Sequence, residues 1–368
     1  MNDRLKYPRI SWGYFFCTLV IAFLASCSEP KQETAGLNYS VHTFYYNWYG
    51  NPSFDNEYRH WAHDILPHWA DTSSDNLKGF GGADDIGANY FPQLGCYSCN
   101  DSNTVRQHMA WIAEAGIGVV TLSWWGRGSF EDKNVELIMN EASKKKIKVN
   151  FHVEPFNDRS AQTTKLAINY IVKKYGSHPA FHRIKGKGVF YIYDSYLIRS
   201  KEWAKVFPMK NVFAIGLWVD EAHGDSILAS GFDGAYTYFA SDGFTYGSTK
   251  ENWKGMSEWG KENNKLFVPC AGPGYLDTRI RPWNDGNTKN RKEGVYYDLL
   301  FAKAIESKAN VIGITSFNEW HEGTQIEPAR PFHIDNYVYQ DYSPREEDYY
   351  LKRTKYWTTL FQETTVAQ

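Results

Sequence analysis

Five cysteines in 368 residues are too few for a disulfide-built fold. Cys17 and Cys27 lie in and just after the first apolar run, which leaves Cys96, Cys99 and Cys270 for the rest of the chain. Cys96-Tyr97-Ser98-Cys99 is a lone C-x-x-C, and without a second pair at ligand spacing it does not make a zinc site. It reads as structural, either a local disulfide or two free thiols. An excess of charge of either sign is also missing. The net charge of -2 offers neither the basic surface that nucleic acid needs nor the acidic surplus of a disordered chain. There is no H-E-x-x-H, so a zinc hydrolase is disfavoured, and no G-x-S-x-G elbow, which disfavours an esterase. No repeat, low-complexity tract or proline-rich linker interrupts the chain after Gly36.

What is abundant is apolar and aromatic. The chain is 42% hydrophobic and 17% aromatic, with 14 Trp, 26 Tyr and 22 Phe, enough for one large core. The N-terminus stands apart. Arg4, Lys6 and Arg9 precede a short apolar stretch from Tyr14 to Leu24, a pattern that fits a secretory signal better than a membrane span. It ends in Leu24-Ala25-Ser26-Cys27, which resembles a bacterial lipobox. That resemblance implies removal of residues 1–26, lipidation of Cys27, a polar tether over residues 27–37, and an exported, membrane-anchored lipoprotein; residues 38–368 are then expected to form one domain.

Within that domain eight short β-branched or aromatic runs recur, at 41–46, 118–123, 149–153, 189–193, 212–216, 234–238, 266–269 and 311–315. Segments with helical spacing lie between several of them, including 104–115, 134–146 and 163–175. Eight buried strands alternating with helices predict an α/β fold, a single (β/α)8 barrel of the TIM type. The alternative is an open doubly wound sheet, but no glycine-rich phosphate loop follows the first run. In such a barrel the reactive groups gather where the strands end. There the sequence places Asn47, Trp48 and Tyr49; Trp124 and Trp125; Glu154 and Asn157; Asp194 and Tyr196; Asp242 and Tyr246; then Asn318, Glu319 and Glu322. Two long inserts, 51–99 and 271–290, also follow strands and are expected to wall a groove over the C-terminal face.

The densest cluster is Ser316 to Ala329, S-F-N-E-W-H-E-G-T-Q-I-E-P-A, with three carboxylates in nine residues directly after an apolar run. Glu319 and Glu322, three residues apart, can share a face of a helical turn. Two carboxylates in one aromatic-lined site push their pKa values apart, so that one serves as acid and the other as base or nucleophile. Cleavage of a glycosidic bond needs that division of labour. A helix start would explain one glutamate, but not the Trp, His and Asn beside it. His152 alternates with Glu154 on its strand and alone reads as a core histidine; His63 and His68 read as packed or loop-bonded.

The stretch Glu319-Trp320-His321-Glu322-Gly323-Thr324-Gln325-Ile326-Glu327-Pro328 resembles the signature of glycoside hydrolase family 99, the endo-α-1,2-mannosidases and mannanases, and the chain looks like a bacterial member. Tyr45 to Tyr49, His60-Trp61, Leu66 to Trp69, Ser123 to Trp125, His152 to Pro155, Gly272 to Tyr275 and Ile280 to Asn284 support the resemblance in order along the chain. It implies a (β/α)8 barrel, retaining endo-cleavage of α-1,2-mannosidic bonds in mannan or high-mannose glycans, no metal and no other cofactor. It further implies a 1,2-anhydro sugar intermediate, with Glu319 as base to the 2-hydroxyl and Glu322 as general acid and then base. Tyr46, Glu154, Tyr193 and Arg281 would line the groove, with Tyr238 or Tyr246. Trp125 stands where animal-type members have Tyr, which implies mannose rather than glucose in the adjoining subsite. Two other readings share these residues. One is a lipoprotein that captures glycan without cutting it. The other is a conventional retaining glycosidase with Glu154 as nucleophile. The expected partners are the glycan and the membrane, with no nucleic acid, and the chain is expected to act as a monomer.

Overall fold

The computed structural model describes residues 36–68 and 77–366. The signal, the tether as far as Thr34 and Ala35, Cys27 and Trp69 lie outside the described residues. All eight runs form parallel strands of one barrel: β1 Asn38–Tyr45, β2 Ile117–Trp124, β3 Lys148–Val153, β4 Lys187–Ile192, β5 Val212–Leu217, β6 Gly234–Tyr236, β7 over residues 266–271, and β8 Ile312–Ile314. Successive strands pair from β1 through β7, and β8 pairs with β1, Val41 facing Ile312. The open-sheet alternative is therefore set aside.

Closure falls to β7, which is split at Pro269. Leu266–Val268 pairs with β6, whereas Cys270–Ala271 pairs with β8. Proline has no N–H to give a ladder, and here its carbonyl instead accepts the N–H of Gly313 at 2.9 Å. The next amide, that of Cys270, turns to the Thr237 hydroxyl at 2.9 Å. One covalent segment thus serves two neighbours.

A helix follows each strand, from Ser102–Glu114 after β1 to Tyr349–Val366 after β8. The first three start on side-chain caps that the sequence supplies, Asp101, Ser129 and Ser160, the last with a capping box to Thr163. Each satisfies an amide that the helix itself cannot. Lysines close the second and third (Lys144; Lys173 and Lys174), where the macrodipole favours cations. Their inward faces are apolar, for example Val135, Ile138 and Met139. Burial of each such side chain contributes about 1.5–3 kcal/mol.

The barrel interior is built in tiers by the two-residue period of a strand. Phe44, His152, Tyr191 and Tyr236 form one aromatic layer, with ring centroids 4.8–5.9 Å apart. Two residues further along the same chains, Tyr46, Glu154, Tyr193 and Tyr238 form the next tier, and this tier is the floor of the site described below. Just past β7 the backbone passes tightly between its neighbours. A Cβ on Gly272 would lie 2.4 Å from Ala240 Cβ and 2.6 Å from Thr315 O, and neither group is a flexible side-chain end. Gly272→Ala should therefore destabilise the protein by about 1–3 kcal/mol through overpacking, read as a lower midpoint in urea unfolding.

Candidate active site

The three carboxylates after β8 are held by a loop that folds back on itself. Phe317 N–H donates to Phe44 O at 2.8 Å, and Ser316 N–H to Thr324 O at 2.8 Å. Glu327 N–H returns to Phe317 O at 2.9 Å. Asn318 then uses its side chain as a strand would use its backbone. Its Oδ1 accepts Tyr46 N–H at 2.7 Å, and its Nδ2 donates to Tyr46 O at 2.8 Å. The turn over residues 320–323 is not helical, yet it brings Glu319 and Glu322 into one pocket all the same. The helical turn expected from the i, i+3 spacing is replaced by this looped-back strand end.

Glu327 has a different task. It is fully buried, and its carboxylate accepts from His108 Nε2 at 3.1 Å, Tyr97 Oη at 2.8 Å and Trp320 Nε1 at 3.0 Å. His108 Nδ1 pairs in turn with the Tyr45 hydroxyl at 2.8 Å. Each donor is itself buried, so the ion is repaid with charge-assisted hydrogen bonds. The third glutamate therefore fixes the loop that carries the other two. Arg291, also buried, holds the far side of the loop by donating to Gly323 O at 2.9 Å and Gln325 O at 2.8 Å.

The pocket has a volume of about 290 Å³. Tyr46, Trp125, Glu154, Tyr193, Tyr238 and Arg281 line it together with Glu319 and Glu322. Tyr246 does not. It stacks on Trp218 with ring centroids 6.4 Å apart, because the chain turns away after Tyr238 and residues 243–248 lie against the strand end of β5. The Tyr46 and Tyr238 hydroxyls are hydrogen-bonded to each other. Trp125 Nε1 donates to Ser123 Oγ at 3.1 Å, and Ser123 Oγ donates to Glu154 Oε1 at 2.9 Å. Glu154 is also 2.8 Å from His152 Nδ1, off the line of a hydrogen bond.

Trp48 lines the pocket as its strand-end place implies, and His63, read from the sequence as packed or loop-bonded, lines it too; His60, Ile280 and His321 were not singled out as lining residues. His60 stacks on Trp48 at 4.6 Å, and His63 approaches His321 at 4.6 Å. His321 Nδ1 is 2.8 Å from Gly87 O. A carbonyl only accepts, so the proton is on Nδ1 and the Nε2 lone pair is buried without a partner. Burial, then His63, holds this ring well below the usual histidine range and neutral. A sugar hydroxyl is the kind of donor such a lone pair takes. The signal lay in H-W-A-H and E-W-H-E, but nothing in the spacing says that the two segments meet. The C-x-x-C thiols are free rather than bridged. Cys99 is buried and packs behind Tyr46, with Sγ 3.7 Å from Tyr46 O. Burial pushes Cys96 up to about 12, so neither is a nucleophile.

The electrostatics centre on one proton. Burial raises Glu319 well above the carboxylate range, and the charge of Glu322 raises it further. Burial lifts Glu322 to about 7 against the opposing pull of Arg281. Arg281 Nη1 lies 3.1 Å from Asp277 Oδ2 and 3.8 Å from Glu322 Oε1. Asp277 is fully buried and also accepts from Tyr275 Oη and Asn284 Nδ2, both at 2.8 Å. The guanidinium thus spends its closest contact on Asp277 and only partly neutralises Glu322. Both carboxyls are held above the usual range and each raises the other's cost of ionising, so one can keep a proton while the other gives it up, the division that acid–base chemistry requires. Arg281 and Glu322 also line a second pocket of about 230 Å³ with Phe239, Phe244, Tyr275 and Asn284. Glu322 and Arg281 therefore border both pockets, whereas Glu319 faces the first alone.

Comparison with known proteins agrees with this geometry. The family model described as Glycosyl hydrolase family 99 matches residues 36–363. The chain is similar to the glycoprotein endo-alpha-1,2-mannosidase of Rattus norvegicus, 44% identical over 90% of this chain and 77% of that protein. It is similar to the Mus musculus protein of the same name, 43% identical over 92% and 79%. Among solved structures, the GH99 endo-alpha-mannosidase from Bacteroides thetaiotaomicron superposes with a TM-score of 0.85 at 48% identity, over 89% of this chain and 98% of that one.

Removing the buried carboxylate tests the loop. Glu327→Ala leaves three donors unpaired and should cost roughly 3–5 kcal/mol, seen in chemical denaturation. Glu327→Gln, which keeps one carbonyl acceptor, should lose less stability than the alanine variant.

Proposed function

Because the chain belongs to glycosyl hydrolase family 99, and is a glycoside hydrolase, we propose that it cleaves internal α-1,2-mannosidic bonds of mannan or high-mannose glycans with Glu319 and Glu322 as its catalytic pair. The single observation that carries the assignment is the pair itself: a buried carboxyl, Glu319, and a half-buried one, Glu322, facing one aromatic-lined pocket. A molecule that merely captured glycan would gain nothing from burying them.

In the empty site burial favours the proton on Glu319. A bound mannose reverses this, since a 2-hydroxyl donating to Glu319 stabilises its ionised form and leaves Glu322 as the acid. Glu319 then takes the 2-hydroxyl proton, O2 attacks C1, the glycosidic C1–O bond breaks, and the departing oxygen takes its proton from Glu322. The product in the site is a 1,2-anhydro sugar. Glu322, now ionised, takes a proton from water as the water oxygen attacks C1. O2 leaves C1 and recovers its proton from Glu319. Two inversions give retention, and both carboxyls return to their starting states. Tyr46, Trp125, Glu154, Tyr193, Tyr238 and Arg281 position the sugar. A conventional ester on Glu154 is the competing route, and the hydrogen bond that this carboxylate already accepts from Ser123 lowers its reactivity as a nucleophile. A mechanism-based trap that labels Glu154 would decide for the ester.

Trp125 bears on specificity. In the bacterial-type reading its indole favours mannose over glucose in the neighbouring subsite. Trp125→Tyr should shift the preference between mannosyl and glucosyl substrates by about 1–3 kcal/mol; identical ratios of kcat/KM before and after would remove the assignment. The N-terminal reading continues as part of the proposal: cleavage before Cys27 and lipidation there would place the enzyme at a membrane, and mass spectrometry of the mature N-terminus tests it.

The chain from Ser28 onward, incubated with yeast mannan trimmed to its α-1,2/α-1,3 side chains, should release disaccharide, whereas Glu322→Gln should be slower by roughly 10²–10⁴-fold. The pH dependence follows from the directions above. Both carboxyls are raised, so below about pH 7 both carry protons and no base remains. On the alkaline side the shared proton is lost and no acid remains. kcat/KM should be bell-shaped, with its acid limb well above the ordinary carboxylate range. In Glu322→Gln, Glu319 loses the charge that raises it and should titrate at lower pH.

A further inference from the structure

Among the described residues a cavity larger than the site lies at the opposite end of the barrel, where the strands begin. It measures about 760 Å³ and is lined by the first residues of β1, β4, β5 and β7 together with Asp233 and Asn310. Its charge is one-sided: Lys185, Lys187, Lys261 and Lys265 against the single carboxylate of Asp233, in a chain whose net charge is -2. Asp233 is already engaged by Lys187 at 3.1 Å and by Ala214 N–H at 3.0 Å. Lys265 donates to Phe232 O at 2.6 Å. Among the described residues Lys185 and Lys261 have no side-chain partner. One wall is His182, only 8% exposed, whose Nε2 is buried without a partner and whose ring meets His42 edge-on at 5.2 Å. Exposed ammonium groups and a buried imidazole nitrogen without a partner share one lining, a set of donors suited to an anion with several oxygen acceptors.

We propose that this pocket binds a phosphate group, and that the group is presented by an anionic lipid surface. The reason for the lipid is position. Tyr39 and Ser40, at the start of β1, line the pocket, so the chain arrives at this end of the barrel. If Cys27 carries lipid, as the N-terminal reading holds, the eleven residues from Cys27 to Asn38 span at most about 40 Å when fully extended. The lysines then lie within reach of headgroups, and the catalytic mouth at the other end of the strands faces outward to glycan. A cavity of this size accommodates a headgroup rather than a bare ion alone.

The test uses the lipid-free chain from Ser28 onward, which retains the whole barrel, so its outcome does not depend on whether Cys27 is modified. Inorganic phosphate is titrated by calorimetry, and flotation is measured with phosphatidylglycerol and with phosphatidylcholine vesicles. The expected result is saturable phosphate binding and retention on the anionic vesicles only. Both should weaken roughly tenfold or more in Lys185→Glu/Lys261→Glu, with hydrolysis unchanged and the distant Lys133→Glu without effect. His182→Phe should lose phosphate affinity and His182→Gln, which keeps an N–H donor, should retain it. Phosphate binding that is absent, or indifferent to these substitutions, overturns the pocket. Phosphate binding through the pocket without vesicle retention overturns the lipid source and leaves a free phosphate ester as the ligand.

Discussion

The carboxylate of Glu327 is the interaction on which the site depends. Its three donors come from three places in the chain: His108 on the first helix, Tyr97 at the end of the long first insert, and Trp320 in the loop itself. A buried ion that is fully hydrogen-bonded resists displacement, because any movement that breaks one contact strands a charge. The loop after β8 is therefore rigid for an electrostatic reason. Rigidity is what the neighbouring glutamates require, since a proton passed between carboxylates and a sugar tolerates little error in position. The loop's polar cluster thus divides into two carboxyls that face the pocket and one that holds the loop.

Much of this was legible from residue types and spacing, and the limits are instructive. The eight apolar runs became the eight strands because parallel barrel strands are covered on both faces and read as unbroken apolar stretches. The residues after them became the rim for the same topological reason. Tyr238 could have been separated from Tyr246 by alternation alone. Phe44/Tyr46, His152/Glu154, Tyr191/Tyr193 and Tyr236/Tyr238 are all i, i+2 pairs, with the first member in the aromatic layer and the second in the pocket. Tyr246 has no such partner. By contrast, the meeting of His60 and His63 with His321 depends on how a long insert folds across the mouth, and no local period encodes that. Nor does the motif itself say that Glu327 points inward; only the donors, distant in sequence, decide it.

Arg281 shows why a cation beside a catalytic acid need not quench it. With a closer, fully buried anion in Asp277, its charge is shared. The attraction felt by Glu322 is attenuated, and burial prevails. The same guanidinium lines both pockets, so its orientation by Asp277 also sets the width of the passage between them.

The split seventh strand has a consequence for how the barrel is held shut. A ring of eight ladders ordinarily closes through two edges zipped along their length. Here the ring closes through a clasp of six residues, half fastened to each side, with a proline at the hinge point. The ladder to β8 is short, and the loops beyond it supply the rest of the closure: Leu276 N–H donates to Glu322 O at 2.8 Å, and Arg291 reaches Gly323 O and Gln325 O. The loop after β7 carries Arg281 and the loop after β8 carries Glu319 and Glu322. The bonds that shut the barrel at this seam are thus the same bonds that keep the candidate site's cation and carboxyls together.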